Sequence, residues 1–207
     1  MRKVYALGGL HEADVAADPF EQFRRWFDDA VSAGLPEPNA MVLATSSLDG
    51  EPSARTVLLK GCDAGGFVFF TNRRSAKGRD LAANPRAALV FPWHPLERQV
   101  RVTGEVRPVD DDEAARYFAT RPRESQLGAW ASDQSAVIGG RDVLEDRFAA
   151  AQQRWPHGTA VPPPPSWGGY RVVPDAVEFW QGRVGRMHDR LRYRRTGDGW
   201  VLERLAP

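Results

Sequence analysis

The sequence predicts a mainly β chain with flanking helices (α+β), built around an antiparallel barrel. Three observations lead there. Short β-prone segments recur from residue 40 to the end, joined by turn signals such as Asp49-Gly50 and Gly197 to Gly199. Few helical patterns lie between them. No GxGxxG follows a strand segment and no Walker-type loop is present, so a nucleotide-binding parallel sheet is not expected.

The elements follow in order. Residues 1–17 lack sustained periodicity, hold a Gly8-Gly9 break, and read as a mobile arm ahead of a single domain over 18–207. A helix starts at Asp18, which can cap, with Pro19 at the first helical position and Glu21 three residues after the cap. Phe20, Phe23, Trp26, Phe27, Ala30 and Val31 form its apolar face, and Gly34 ends it. Strands are expected over 40–46, 53–60 and 67–71, then a short helix over 75–83 closed by Asn84-Pro85. Two more strands cover 87–93 and 99–109. Residues 110–120 read as a helix with acids in its first turn, where the dipole favours them. A further helix covers 141–154. Residues 162–165 form a polyproline-type linker. Strands over 169–173, 177–181, 190–195 and 200–204 complete the chain.

Bulk properties narrow the function. The 207 residues are 42% hydrophobic and 27% charged, which allows a sizeable core without metal or disulfide support. The net charge of +1, with cations interleaved with acids, argues against a nucleic-acid partner. No apolar run reaches the roughly 20 residues of a membrane span, and the first residues lack a secretory h-region. One cysteine, Cys62, permits no internal disulfide. A soluble cytoplasmic protein is expected. The four histidines lack zinc-ligand spacing and no Gly-x-Ser-x-Gly elbow occurs, so metal-dependent and serine-nucleophile hydrolysis are weak readings.

What stands out is cationic groups beside strands. Arg55 to Lys60 alternates, with Arg55, Val57 and Leu59 on one face and Thr56, Leu58 and Lys60 on the other. The stretch from Thr71 to Lys77 joins a strand end to a helix start, either a solvated loop or a phosphate site built from free N–H groups and nearby cations. Tyr117, Arg121 and Ser125 stand four apart, so on a helix running into a loop they converge on one small anion or form an exposed helix end. In a strand, Arg186, His188 and Arg190 face one way, either around an anion or salt-bridged to Asp189. These residues alone indicate a barrel that binds phosphate-bearing small molecules.

Longer stretches carry more information. EPNAMVLAT, RTVLLK, FFTN, SAKGRDLAANP, FPWHPLERQVRVTGE, YFATRPRESQLGAWAS, WGGYRV, EFWQG, RMHDRLRY and LERLAP occur in this order over nearly the whole chain. The sequence thereby closely resembles the pyridoxine/pyridoxamine 5'-phosphate oxidase family, homodimeric FMN-binding split β-barrels. The resemblance implies oxidation of pyridoxamine or pyridoxine 5'-phosphate to pyridoxal 5'-phosphate, with O2 as acceptor and H2O2 released. It implies FMN contacts from Arg55, Thr56, Val57, Leu58, Leu59, Lys60, Phe70, Thr71 and Lys77. Further FMN contacts fall on Gln99, Gln134 and Ser135, given partly by the second subunit, and on Trp180 and Arg190. Lys60, Tyr117, Arg121 and Ser125 are similar to a cradle for the substrate phosphate. Arg186 and His188 match the catalytic pair that holds the pyridine ring, and Arg2 and Tyr5 match an arm that closes the site. No metal is implied.

Three departures mark the sequence. Ala76 stands where the family often has Arg, Phe70 where Tyr is frequent, and Val184-Gly185 replaces a stretch that is usually polar. Two other readings stay open. One is a related flavin oxidase for a different substrate, like the phenazine-pathway enzymes. The other is a non-catalytic pyridoxal phosphate-binding protein. Lys60 and RPRESQLGAW favour the vitamin B6 substrate.

Overall fold

The computed structural model describes Tyr5 and residues 7–207. Helix α1 (Pro19–Ser32) leads into strands β1 (Ala40–Ser46), β2 (Pro52–Leu58), β3 (Gly61–Asp63) and β4 (Gly66–Asn72). Helix α2 (Ala76–Ala83) precedes β5 (Arg86–Trp93) and β6 (Arg98–Pro108). Helices α3 (Asp111–Ala119), α4 (Arg123–Ala131) and α5 (Arg141–Arg154) form one block, and β7 (Trp167–Gln181), β8 (Asp189–Thr196) and β9 (Gly199–Arg204) finish the chain. The strands make one antiparallel sheet in the order β2-β1-β5-β6-β7-β4-β3, with β8 on β7 and β9 on β8.

Local chemistry explains the first elements. The Asp18 carboxylate accepts hydrogen bonds from the backbone N–H groups of Phe20 (2.9 Å) and Glu21 (3.0 Å), so α1 starts where its cap stands. The helix lays Phe20, Phe23 and Trp26 on the curled sheet, where Phe23 meets Phe67 and Phe91 at ring separations of 5.0 and 4.9 Å. Burying side chains of this size contributes about 2 kcal/mol each. Val31, expected on this face, is 53% exposed. Gln22 is buried in its stead, because its Oε1 accepts from Ala16 N–H. The Asp49-Gly50 signal gives the β1–β2 turn, with Gly50 at φ +83°.

Four differences from the sequence reading have physical causes. First, residues 169–181 form one strand rather than two. Pro174 cannot donate to the ladder, but a bulge at Thr103/Gly104 carries β6 past it. A Cβ at Gly104 would lie 2.1 Å from Val173 O, so this passage requires glycine. Second, Pro122 interrupts the helical pattern, so α3 ends at Ala119 and an unforeseen helix, α4, follows. Third, β3 is too short to show periodicity. Fourth, packing begins before residue 18. Leu10 and Ala16 are buried, and the Tyr193 hydroxyl donates to Ala16 O at 2.6 Å.

Replacing Asp18 with Ala removes both capping bonds and is expected to lower the unfolding free energy by about 1 kcal/mol. Urea denaturation with an unchanged m-value is the check.

Candidate active site

The β2 edge, the β4–α2 junction, the α3–α4 turn and the start of β7 enclose a cleft of about 820 Å³. Arg55, Thr56, Val57, Leu58, Lys60, Phe70, Thr71, Lys77, Tyr117, Arg121, Ser125, Gln134 and Ser135 all line it. Thirteen residues singled out from sequence thus meet in one place. The expected two-face alternation of 55–60 shows in burial: Arg55 and Val57 are half-buried and Leu59 is buried, while Thr56 and Lys60 are exposed. Leu59 turns into the barrel core, while side chains of both parities border the cleft. As an edge strand paired only with β1, β2 also turns a row of backbone N–H and C=O groups away from the sheet.

Cations dominate the lining. Arg55, Lys60, Lys77 and Arg121 contribute to it and, among the described residues, no carboxylate does. The Ser75 hydroxyl caps α2 by accepting from Gly78 N–H at 3.3 Å. Lys77 Nζ, buried beneath that turn, donates to Gln134 Oε1 at 2.8 Å and to the Thr71 and Ser75 hydroxyls at 3.3 Å. These acceptors are all neutral. Desolvation, and then the charge of Arg55, hold the Lys77 pKa below the ordinary lysine range. Arg55 donates to Thr45 Oγ1 at 2.7 Å and to Ser53, and lies 3.7 Å from Asp80. Its pKa is lowered by desolvation, against which Asp80 acts.

The α3–α4 turn supplies the other cation. Tyr117 sits on α3, Ser125 on α4 and Arg121 between them, so the three converge from two helices rather than from one helix end. Arg121 Nη1 is buried and, among the described residues, without a hydrogen-bond partner. Burial lowers the pKa of its guanidinium. Lys60 Nζ stands 5.8 Å from the centre of the Tyr117 ring. Phe70 stacks on Tyr117 at 4.2 Å and 10°, so the departure from Tyr keeps its ring contact.

A second group assembles at the far end of β7. Gln99 pairs with Trp180, and Trp180 with Arg190, so the three form one row on one face of β6, β7 and β8. Arg190 Nε donates to Glu178 Oε1 at 2.8 Å, and the Trp180 ring lies 4.7 Å from His188 and 5.7 Å from Tyr5. Arg183 N–H donates to His188 Nδ1 at 3.1 Å, which leaves Nε2 to carry the imidazole proton. Arg186, His188 and Arg190 do not share one strand face, because β8 begins only at Asp189. Before it, Gly185 (φ +69°) and Arg186 (φ +64°) adopt left-handed backbone, which points the exposed Arg186 away from any ladder. Asp189 pairs with Arg183 (3.6 Å) and Arg204 (2.7 Å). Ser135 (φ +72°), Glu97 (φ +55°) and Arg186 are three of the four non-glycine residues with positive φ among the described residues, and all lie at these two groups. Arg2 lies outside the described residues.

Sequence reasoning missed Trp167, Arg183 and Glu97. Trp167 walls the cleft, Arg183 Nη1 donates to Gly8 O at 3.3 Å, and Glu97 accepts from Leu7 N–H and, at its backbone O, from Gly182 N–H. Each acts across long sequence separations, so no local spacing reveals it. Among the described residues no cluster of metal-binding side chains occurs, and no helix is long and apolar enough to cross a membrane.

Fold and site together define an antiparallel split barrel with a cation-lined cleft. Residues 27–155 match the family described as pyridoxamine 5'-phosphate oxidase, and residues 167–207 match the pyridoxine 5'-phosphate oxidase C-terminal dimerisation region. The chain belongs to the pyridoxamine 5'-phosphate oxidase family. It is 62% identical to the pyridoxine/pyridoxamine 5'-phosphate oxidase of Cupriavidus taiwanensis, over 100% of this chain and 97% of that protein. It is 58% identical to that of Salinispora arenicola, over 100% and 95%. Among solved structures, PhzG from Burkholderia lata 383 in complex with tetrahydrophenazine-1-carboxylic acid superposes with a TM-score of 0.90 at 32% identity, covering 96% of this chain and 98% of that one. A pyridoxamine 5'-phosphate oxidase-related, FMN binding protein from Nostoc punctiforme shares the fold with a TM-score of 0.73 at 18% identity, covering 93% and 100%.

The buried Lys77 generates a pH prediction. Anion binding needs its charged form, so phosphate affinity falls as pH rises through the lowered pKa, before an ordinary lysine would titrate. In the same window the ligand-free protein gains stability, because the folded state holds this proton less tightly than the unfolded chain. Lys77→Met should cost about 2 kcal/mol of phosphate binding and flatten the pH profile. Calorimetric titration with inorganic phosphate from neutral to alkaline pH measures both.

Proposed function

We propose that this protein is an FMN-dependent oxidase that converts pyridoxamine or pyridoxine 5'-phosphate to pyridoxal 5'-phosphate, with O2 as acceptor and H2O2 as co-product. The observation that carries this reading is the cleft lined by four cations and no carboxylate, one guanidinium N–H of which is buried and unpartnered among the described residues. Such a lining suits phosphate groups. The relatives named for this activity cover the whole chain.

The residues fit FMN. Arg55, Lys77, Gln134 and Ser135 surround the α2 N-terminus, and the β2 edge offers backbone donors and acceptors beside them. When bound, FMN supplies the two-electron acceptor. Gln99, Trp180 and Arg190 are the remaining contacts for it. Trp167, in the cleft, and Trp180 are thirteen positions apart on β7, on the order of 40 Å for a straight strand. This separation supports a homodimer in which the row on one protomer completes the cleft of its partner. The match of residues 167–207 to a dimerisation region supports the same assembly.

Within that site the chain's own groups bind and orient. Lys60, Tyr117, Arg121 and Ser125 hold the substrate phosphate, which keeps the C4' carbon in place. Arg186 stabilises negative charge on the ring oxygen, and His188, donating through Nε2, positions the ring. Oxidation removes two protons and two electrons from the C4' substituent, and O2 takes them up as H2O2. The amine substrate additionally consumes water and releases ammonia. Residues 18–207 act as one FMN-binding domain. Tyr5, with its ring 5.7 Å from His188, borders the site from the N-terminal side. A cytoplasmic setting suits Cys62, a free thiol whose pKa burial pushes up to about 12.

The likeness to PhzG favours one second reading, a split-barrel oxidase for a non-phosphorylated acid. A turnover assay separates them. Purified protein with FMN and pyridoxine 5'-phosphate in air should give equal amounts of pyridoxal 5'-phosphate and peroxide over many turnovers. FMN binding with neither product, from the alcohol or the amine, would overturn the B6 reading. Arg186→Ala should lower kcat about a hundredfold while FMN stays bound.

A further inference from the structure

The two outer cations of the cradle are seated on aromatic rings. The guanidinium of Arg121 lies 4.4 Å from the centre of the Trp167 ring and 5.5 Å from that of Phe118. It has no acidic partner among the described residues, and its Nη1 is buried and unpartnered there. The Trp167 ring is itself fixed, because its Nε1–H donates to Ala114 O at 3.1 Å on α3. Phe118 meets its edge at 5.1 Å, and Phe70 and Tyr117 lie nearly parallel to it, at 4° and 10°. Arg121 and Trp167 both border the cleft and also a neighbouring cavity of about 270 Å³. Without the ring, the guanidinium has room to rotate out of the cleft.

We propose that Trp167 is the positioning residue for Arg121, presenting its guanidinium to the substrate phosphate through the ring face. The proposal rests on the reading of Lys60, Tyr117, Arg121 and Ser125 as the phosphate cradle. A ring serves this purpose better than a carboxylate. Cation–π attraction orients a guanidinium without neutralising it, so the full charge and the free N–H remain for the ligand. A carboxylate in that place would compete with phosphate for the same donors.

The test compares the affinities of FMN-loaded protein for pyridoxal 5'-phosphate and for unphosphorylated pyridoxal, since their ratio isolates the phosphate contribution. Trp167→Leu should lower that ratio about tenfold, and Trp167→Phe, which keeps a ring face, should restore most of it. In an Arg121→Ala background, Trp167→Leu should change the ratio no further. Equal weakening of both ligands by Trp167→Leu would mean a merely structural role and overturn the proposal. If Trp167→Leu does not fold, Arg121→Lys decides: it keeps the charge but loses the planar stack, and an undiminished ratio overturns the proposal. Should Arg121→Ala itself leave the ratio unchanged, the cradle reading fails, and the proposal with it.

Discussion

Strand β7 is the constraint on which the site depends. It pairs with β6 along most of its length, with β4 at its start and with β8 at its end. Its first residue, Trp167, walls the cationic cleft, and Trp180 near its end carries the row of Gln99, Trp180 and Arg190. One ladder therefore sets the two groups near opposite ends of the same strand, the separation on which the proposed completion of each site by a partner protomer rests. The bulge opposite Pro174 makes so long a strand possible, and Gly104 makes the bulge possible.

Electrostatics then determine what the cleft accepts. Burying a cation costs free energy unless something compensates it. Here Lys77 is compensated by neutral oxygens and Arg121 by ring faces, while Asp80 stands 3.7 Å from Arg55. The site is thus stable enough to fold yet retains charge to spend on an anion. The loop half has the opposite design. Around Arg186 and His188, the cations Arg183, Arg190 and Arg204 are tied to Asp189, Glu178 and Glu12, so three acids offset three cations.

Much of this was legible from local chemistry. Residues 40–46 and 141–154 form their elements as the patterning indicates, and Asp18 caps α1 through its own carboxylate. The cation-rich junction around Lys77 could be read as a candidate phosphate site because helix starts and cations act over a few residues, and Thr71 and Lys77 line the cleft. The resemblance supplied what spacing cannot. The row of Gln99, Trp180 and Arg190 exists only through strand register, which no local pattern encodes. The reading failed where tertiary structure overrides period. The two strands expected over 169–173 and 177–181 are joined through a bulge beside Pro174, Pro122 divides what looked like one helix end, and two left-handed residues at 185–186 remove the expected alternation. Trp167 was invisible as a functional residue because its partners, Ala114 and Arg121, lie some fifty residues away.

A mixed dimer tests most directly whether the two half-sites meet across protomers. Arg121→Ala impairs the cleft and Arg186→Ala the loop, so each homodimer alone should be slow. In a hybrid of the two, one site carries both defects and the other carries none. Refolding an equal mixture should return roughly a quarter of wild-type oxidase activity, because half the dimers are mixed and one of their two sites is intact. Activity no greater than the average of the two variants alone would place each complete site within a single chain and contradict the account.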